Sequence, residues 1–272
     1  MIRVFPRKTA WTPTDALAFV GDPPLFRPPE KPVCVSVTFT WDIEDGMRLY
    51  RAWSDLYEDV RIGGPAFSDP GMWFTPGQFV KPGVTFTSRG CIKRCPWCFA
   101  QQREGSIRPL PILPGNNIGD NNLLACPRDH IEAVFDMLRG QHAIELTGGV
   151  DTTLLKQWHV DHLKGLRIKQ MFFACDTPAG LPPLERAGDL LSDFPEYKKR
   201  CYVLIGHNGE DIIDAEKRVE RVYELGFLPF AMLFKSKNPK VWSKQWKALA
   251  RKWMRPAAYK STGEDENMQI AT

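Results

Sequence analysis

The chain lacks the features of a secreted or membrane protein. Its seven cysteines are an odd number, and four of them are scattered, which does not suit a disulfide framework and favours a reducing compartment. The first residues, MIRVFPRKTAW, lack the apolar run of about 7 to 15 residues of a signal peptide, and no stretch reaches the roughly 18 apolar residues of a membrane span. We therefore expect a soluble, cytoplasmic protein without membrane contact.

Acidic residues are missing from one long stretch. Residues 235–260 carry nine Lys or Arg and no acid, out of 36 basic and 32 acidic residues in the chain. The rest of the chain therefore has 27 basic and 32 acidic residues and is acidic overall. A helical projection gives this stretch one apolar face, made of Trp242, Trp246, Leu249 and Trp253. Two interpretations stay open. Either the tryptophans close an open barrel and the lysines are solvated, or the segment from Lys235 to Lys260 contacts a polyanion such as nucleic acid.

The amino-terminal part gives a weak structural signal. Residues 1–32 are rich in proline (GDPPLFRPPEKP) and show neither helical nor strand periodicity, so we expect extended surface chain without a core. Residues 33–40 alternate as in a strand, residues 42–57 have helical spacing, and VRIGGPAF is typical of a second strand that ends in a turn. One β-α-β unit is therefore predicted here.

From residue 84 onward, short apolar strands alternate with helical segments. Six strands are predicted, within VTFTSRGC, NNIGDNN, AIELTGGVD, QMFFACDTP, CYVLIGHNGED and FLPFAMLF. Helices are predicted at about 128–139, 152–164, 182–193, 211–225 and 240–254, with Asp151 and Asp211 as N-caps. Strands that alternate with helices form parallel sheets, and the count predicts an α/β fold with a partial (β/α)6 TIM-type barrel. Such barrels place their chemistry at the carboxyl ends of the strands.

Three cysteines lie close together in GCIKRCPWCFA, at Cys91, Cys95 and Cys98. Three thiolates on one loop after a strand are typical of a metal site. A structural zinc site needs four protein ligands, and Cys126 or His130 is the candidate for the fourth. A four-iron cluster held by only three cysteines leaves one iron open to another ligand, which favours catalysis. The alternative from another class is a zinc- or cluster-stabilised nucleic-acid-binding module without catalysis.

The segment CIKRCPWCF has the CxxxCxxC spacing followed by an aromatic residue, and it resembles the radical S-adenosylmethionine (radical SAM) superfamily. The resemblance covers residues 80–235. It implies that the three cysteines hold a 4Fe–4S cluster, that the open iron binds S-adenosylmethionine, and that one electron from a flavodoxin or ferredoxin cleaves this cofactor to a 5′-deoxyadenosyl radical. That radical abstracts hydrogen from a substrate, and the basic segment favours a nucleic acid or nucleotide over a peptide or small metabolite.

The resemblance also implies cofactor contacts at the strand ends. In this superfamily the second strand ends in a polar motif that holds the methionyl amino group. The match in this chain is GDNN, with Asp120, Asn121 and Asn122, which resembles the form found in cobalamin-associated members. The rival position is TGG on the third strand, where Gly148 and Gly149 allow close approach of the backbone.

Four further residues match the superfamily by position. Asp176, at the end of the fourth strand, is the candidate catalytic residue near the ribose hydroxyls or the substrate. Ile205 and Gly206 match the segment that packs against adenine, and Phe99 matches the aromatic whose backbone reaches adenine. The alternatives are a turn residue before Pro178 for Asp176, a glycine-rich loop for Gly206 and a buried loop aromatic for Phe99.

Residues 59–82 resemble, more weakly, radical enzymes with an amino-terminal cobalamin domain, so a cobalamin-dependent radical methyltransferase is a further alternative. One β-α-β unit is shorter than a nucleotide-type domain of about 100 residues, which argues against bound cobalamin. We predict a barrel cap or shortened relic of a cobalamin-binding domain in residues 1–82, a radical SAM partial barrel in residues 83–260, and a disordered tail in residues 261–272.

Overall fold

The computed structural model of the chain describes residues 1–67, 74–235, 241–257 and 259. The chain divides into two compact units, one that ends at His130 and one that begins at Ile131. The predicted disordered tail, residues 261–272, lies outside the described residues. The predicted domain boundary after residue 82 stays a prediction.

The first unit opens with a parallel sheet in the strand order β2-β1-β3-β4. The strands are β1 (Ile2–Phe5), β2 (Ala18–Val20), β3 (Val33–Ser36) and β4 (Val60–Gly63). Helix α1 (Ile43–Ser54) packs on this sheet over a core of Ile2, Val4, Val33, Val35, Val37, Leu49, Trp53 and Tyr57. Gly46 lets the helix approach closely, because a Cβ there would lie 2.5 Å from Val37 Cγ2.

The prediction that residues 1–32 form surface chain without a core is wrong. Strand β1 lies between two other strands, and Ile2 and Val4 have no exposed surface. The stretch between β1 and β2 and the proline-rich stretch after β2 contain no helix or strand. Side chains from α1 and from the turn that follows it hold the proline-rich stretch in place. The indole N–H of Trp53 donates to the Gly21 carbonyl (3.2 Å), and the Tyr57 hydroxyl donates to the Pro28 carbonyl (2.9 Å).

The rest of the first unit carries the cysteine motif. Its elements are β5 (Val84–Thr85), β6 (Ser88–Arg89), α2 (Ala100–Glu104), β7 (Arg108–Pro109) and β8 (Asn117–Ile118). Strands β5 and β8 pair in parallel, whereas β6 and β7 pair in antiparallel fashion. The antiparallel pair was not predicted, and it brackets the cysteine motif.

The second unit contains four parallel strands in the order β9-β10-β11-β12. They are β9 (Ile144–Leu146), β10 (Ile168–Ala174), β11 (Lys199–Ile205) and β12 (Leu228–Leu233). The helices are α3 (Arg128–Arg139), which begins before the unit boundary, α4 (Gln157–Lys164), α5 (Leu181–Leu190), α6 (Ile212–Glu224) and α7 (Lys244–Met254). Fully buried side chains such as Phe173 and Phe227, in edge-to-face contact at 5.0 Å, form its core.

The α/β fold class with parallel sheets is confirmed, and each of the six strands predicted from residue 84 onward overlaps an observed strand. Closure of the strands into a partial barrel stays a prediction. Asp211 caps α6 as predicted, with its carboxylate accepting from the Ile213 N–H at 2.8 Å. Asp151 does not cap a helix, because α4 begins later and the Asp151 carboxylate instead accepts from the Thr153 N–H (3.0 Å) in a turn.

The apolar face of α7 is only partly buried. Leu249 and Trp253 are buried, and the Trp253 ring stacks on Tyr259 with centroids 4.9 Å apart. Trp246 stays half-buried beside Trp242, with their ring centroids 5.3 Å apart. Of the three tryptophans on this face, Trp253 alone is buried, and their predicted role in closing the barrel stays a prediction. Among the helices described, none is both long enough and apolar enough to cross a membrane.

Candidate functional site: the cysteine loop and the strand ends

The cysteine loop, residues 90–107, is closed at its base by backbone contacts. Gly90 has a positive φ of 84°, and a Cβ there would lie 2.2 Å from the Ser106 carbonyl oxygen, so no other residue fits without a shift of the backbone. The Cys91 N–H donates to the Gly105 carbonyl at 3.2 Å. These contacts continue the pairing of β6 with β7 and hold the two ends of the loop together.

The three motif thiols are accessible and lie near N–H donors. Cys91 and Cys95 are half-buried, and Cys98 is exposed. The Lys93 N–H lies 3.4 Å from Cys91 Sγ, and the Ala100 N–H lies 3.5 Å from Cys98 Sγ. Such N–H donors stabilise sulfur that carries negative charge, as it does in a metal thiolate. The donor set therefore suits a thiolate-bound cluster.

The scattered cysteines have a different environment. Burial raises the pKa of Cys126, raises that of Cys175 to about 11, and raises that of Cys201 well above its ordinary value. Cys34 is half-buried and donates to Met1 Sδ at 3.2 Å. These thiols stay protonated near neutral pH, so they are poor ligands compared with the three in the loop.

Within the described ranges, no three His, Cys, Asp or Glu side chains are arranged so that they could hold a metal ion. The three thiols share the loop without converging on one point. His130, a candidate fourth zinc ligand, has its Nε2 2.9 Å from the Thr87 carbonyl oxygen. Ligation of a cluster or of zinc by these residues stays a prediction.

Asp120 is buried directly behind the cysteine loop. Its carboxylate accepts hydrogen bonds from the Thr87 N–H (2.6 Å), the Thr87 hydroxyl (2.6 Å) and the Ser88 hydroxyl (2.7 Å). Burial raises the pKa of Asp120, and the hydrogen bonds oppose that shift. The side chain thus fixes the turn that leads into β6. Its predicted contact with the methionyl amino group stays a prediction.

The two asparagines that follow Asp120 contact the cysteine loop itself. Asn121 Oδ1 accepts from the Gly90 N–H at 3.1 Å. The Asn122 side chain is buried, and its Nδ2 lies 3.7 Å from Cys91 Sγ. The structure therefore brings the predicted polar motif and the first cysteine together.

Glu104 is a residue of the site that the sequence did not reveal. It is buried at the end of α2, where its carboxylate pairs with Arg103 (2.5 Å) and with Arg89 (3.7 Å). The Arg89 guanidinium also lies 3.8 Å from the centroid of the Phe86 ring, and burial lowers the pKa of Arg89. These contacts join the two ends of the loop from the inside. A single acid among the basic residues of the loop was the only sequence signal.

Phe99 is exposed rather than buried, which removes the alternative of a buried loop aromatic. Its carbonyl accepts from the Arg103 N–H at 2.9 Å and so starts α2. The ring and the backbone before α2 are accessible to a ligand, and the predicted adenine contact stays a prediction.

In the second unit, Gly148 and Gly149 follow β9. Gly149 has a positive φ of 108°, and a Cβ built there would meet no atom within 4 Å. The Val150 N–H donates to the Phe172 carbonyl at 2.7 Å and anchors the turn to the next strand. This turn leaves open space beside its backbone, as the predicted close approach of a ligand requires.

Asp176 joins the ends of β10 and β11. Its carboxylate accepts from the Leu204 N–H at 2.9 Å, and its own carbonyl lies 2.6 Å from His207 Nε2. The side chain is half-buried and therefore remains partly accessible. The structure brings Asp176 next to the predicted adenine segment through these contacts.

Gly206 ends β11 with a positive φ of 78°, directly after the fully buried Ile205. The Gly206 N–H donates to Glu210 Oε2 at 2.9 Å, and the buried Arg218 pairs with the same carboxylate. The ring of Trp242 covers the glycine, because a Cβ at Gly206 would lie 2.3 Å from it. Ile205 itself has no exposed surface, and the predicted adenine contact of Ile205 and Gly206 stays a prediction.

The buried side chain of Arg218, on α6, contacts the end of β11, and the sequence did not reveal this role. Its guanidinium donates to the Cys175 carbonyl (2.7 Å) and the Leu204 carbonyl (3.0 Å). A lone arginine in an amphipathic helix is normally solvated, so its burial could not be read from the pattern.

Helix α7 presents a basic stripe, defined as Lys244, Lys247, Arg251 and Arg255. All four side chains are exposed, on the side of the helix away from the buried Leu249. The described part of the predicted basic segment contains no acid. Lys240 and Lys260, which belong to the same prediction, lie outside the described residues.

No known family model matches the chain, and no curated protein matches it in sequence.

Proposed function

We propose that the chain is a radical SAM enzyme whose cysteine loop holds a 4Fe–4S cluster. The observation that carries the proposal is the contrast among the cysteines. The three in CxxxCxxC spacing are accessible on a loop bracketed by the antiparallel strands β6 and β7, whereas the buried ones have raised pKa values. A site with three thiolate ligands and one open iron suits this set better than a closed zinc site with four.

When bound, the cluster and S-adenosylmethionine supply the one-electron cleavage that yields a 5′-deoxyadenosyl radical, which takes hydrogen from the substrate. The protein residues hold and orient these groups. Cys91, Cys95 and Cys98 are the iron ligands, and Asp120 and Glu104 fix the loop on which they lie. Buried partners that fix the two ends of the loop reduce the entropy lost when the cluster binds.

The strand ends of the second unit are proposed to receive the organic cofactor. The open face of Gly149 and the partly accessible carboxylate of Asp176 suit the polar methionyl and ribose groups. Asp176 acts near the substrate, and Glu210 with Arg218 holds the Gly206 turn as a positioning pair. A low-potential flavodoxin or ferredoxin supplies the electron.

The basic stripe supports a nucleic acid as the substrate. Its first three cations extend along about 10 Å of α7, since each residue rises 1.5 Å, and Arg255 directly follows the helix. Lys252, by contrast, points to the side and pairs with Glu216 at 2.8 Å. A row of exposed cations without acids neutralises phosphates at low cost, because they need not break an existing ion pair first.

The test is anaerobic reconstitution with iron and sulfide. We expect wild-type protein to bind iron, absorb visible light and form 5′-deoxyadenosine from S-adenosylmethionine after reduction. Alanine at any of the three motif cysteines should abolish product formation, and Cys201→Ala is the matched control that keeps all three ligands.

Two results would decide against the proposal. A colourless protein that binds only zinc would favour the nucleic-acid-binding module. Undiminished 5′-deoxyadenosine formation by Cys95→Ala would remove the loop from the catalytic site.

A further inference from the structure

The amino-terminal sheet has a topological switch point. The chain places β2 on one side of β1 and then β3 and β4 on the other, so the strand order reverses between β1 and β3. In open parallel sheets, the connections after two such strands diverge and leave a crevice at their carboxyl ends, which is the usual position of a ligand. Nothing in the proposed radical SAM chemistry uses this edge of the molecule.

The two loops that border this crevice are joined by a charged pair. Arg7 follows β1 and Asp42 follows β3; the Arg7 Nε donates to Asp42 Oδ2 at 2.5 Å, and a second guanidinium nitrogen donates to Oδ1. Asp42 is buried, whereas the Arg7 side chain is about half exposed. A bidentate arginine–carboxylate pair of this kind fixes the position of one loop relative to the other.

An aromatic pair, the half-buried Phe39 and the exposed Trp41, lies at the same edge. Phe39 and Trp41 stack with their ring planes 7° apart and their centroids separated by 4.8 Å, and the Arg7 guanidinium is 6.0 Å from the Phe39 centroid. Trp41 keeps 53% of its surface exposed. A single exposed tryptophan is unremarkable. A stacked pair held by a fixed loop at a switch point is a platform for another flat ring.

The charged side chains at this edge restrict the chemical class of the ligand. Asp42 neutralises Arg7, and Asp45 pairs with Arg48 at 2.9 Å. Glu44, in the first turn of α1, adds one further acid. Exposed Lys8 is the remaining cation on the loop after β1. This balance disfavours a ligand with several phosphates, while carboxylates are suitable partners for ribose hydroxyls. We propose that this edge binds the neutral part of a purine nucleoside, with its base stacked on Trp41.

The experiment uses the full chain and 2-aminopurine riboside, a nucleoside whose fluorescence falls when its base stacks. We expect saturable quenching. Trp41→Ala should weaken binding between about 5-fold and 150-fold, the range for loss of one base–aromatic stack. Trp41→Phe should keep most of the affinity. Phe26→Ala is the matched control, because Phe26 is also an exposed aromatic of this unit, with 91% of its surface accessible, on the loop after β2.

The outcomes separate this site from the proposed function. Cys95→Ala should bind the nucleoside as wild type does, so failure of the iron chemistry leaves the inference standing. Equal affinity of wild type and Trp41→Ala would overturn it, as would the absence of quenching. Tighter binding of the riboside triphosphate than of the riboside would overturn the ligand class. Binding of hydroxocobalamin but of no nucleoside would assign the edge to a corrin instead.

Discussion

Replacement of Asp120 tests whether the cysteine loop depends on a buried carboxylate. Asp120→Ala removes the acceptor of three hydrogen bonds in a site with 1% exposure. The Thr87 N–H cannot turn elsewhere and loses about 1–3 kcal/mol, whereas the Thr87 and Ser88 hydroxyls can rotate and lose less. We therefore expect a loss of about 3 kcal/mol in the free energy of unfolding. Asp120→Asn keeps one acceptor oxygen and should lose about half as much.

The assay is urea denaturation of the cluster-free protein, followed by circular dichroism. Asp211→Ala is the matched control, because it removes an exposed N-cap carboxylate and should cost about 1 kcal/mol. A free energy of unfolding for Asp120→Ala within about 0.5 kcal/mol of wild type would refute the reasoning. Loss of cofactor binding without loss of stability would assign Asp120 to the ligand instead.

The pH dependence of the stability of wild type and Asp120→Asn gives an independent test of the buried carboxylate. Because burial raises the pKa of Asp120 above its unfolded value, the folded state binds the proton more tightly. Its stabilising contribution is complete below the unfolded pKa, about 3.9, and is lost as pH rises through the folded pKa. The stability of wild type relative to Asp120→Asn should therefore fall as pH rises from about 4. A constant difference across that range would contradict the raised pKa.

Three further predictions concern the rest of the chain. In reduced, cluster-free protein at about pH 8, iodoacetamide should modify the three motif cysteines and spare Cys175 and Cys201, whose raised pKa values keep them protonated; labelling of Cys201 in the folded state, detected by mass spectrometry, would contradict this. Trp253→Ala should destabilise the protein by about 3–5 kcal/mol because the side chain is buried. Trp246→Ala, at a half-buried position, should lower the stability measured by thermal denaturation clearly less. Replacement of the first three residues of the basic stripe by Gln should reduce the salt dependence of nucleic-acid binding by about 0.7–0.9 in log–log slope per residue, whereas wild-type binding that is independent of salt would exclude a nucleic-acid substrate.

The sequence predicted the elements whose signal is local and long. Helix α3 coincides with its predicted residues 128–139, and α6 begins at its predicted cap, because both have many apolar residues at helical spacing. Strand β1 escaped prediction because IRVF is only four residues long and is followed by proline-rich chain. A short strand buried on both sides has no alternation to reveal it.

Some residues of the candidate site could be predicted from the sequence, and others could not. The spacing of the cysteines carries information by itself, so the motif could be found without a structure. Glu104 and Arg218 could not, because their burial depends on partners that are distant in sequence or brought close by strand pairing. Gly90 was visible in the motif, yet the reason for it, the nearby Ser106 carbonyl, appears only once β6 and β7 pair.

The central position of β1 has a consequence for the folding of the chain during synthesis. Its partners β2 and β3 follow about 15 and 30 residues later, so β1 has no sheet to join when it leaves the ribosome. At about 5–20 residues per second, the delay until β3 is made is roughly 1.5–6 s. During that time the apolar IRVF segment is available to chaperones and to other chains. Slow translation of residues 6–36 should therefore lower the yield of folded protein more than slow translation of the same length in the helical region near α6.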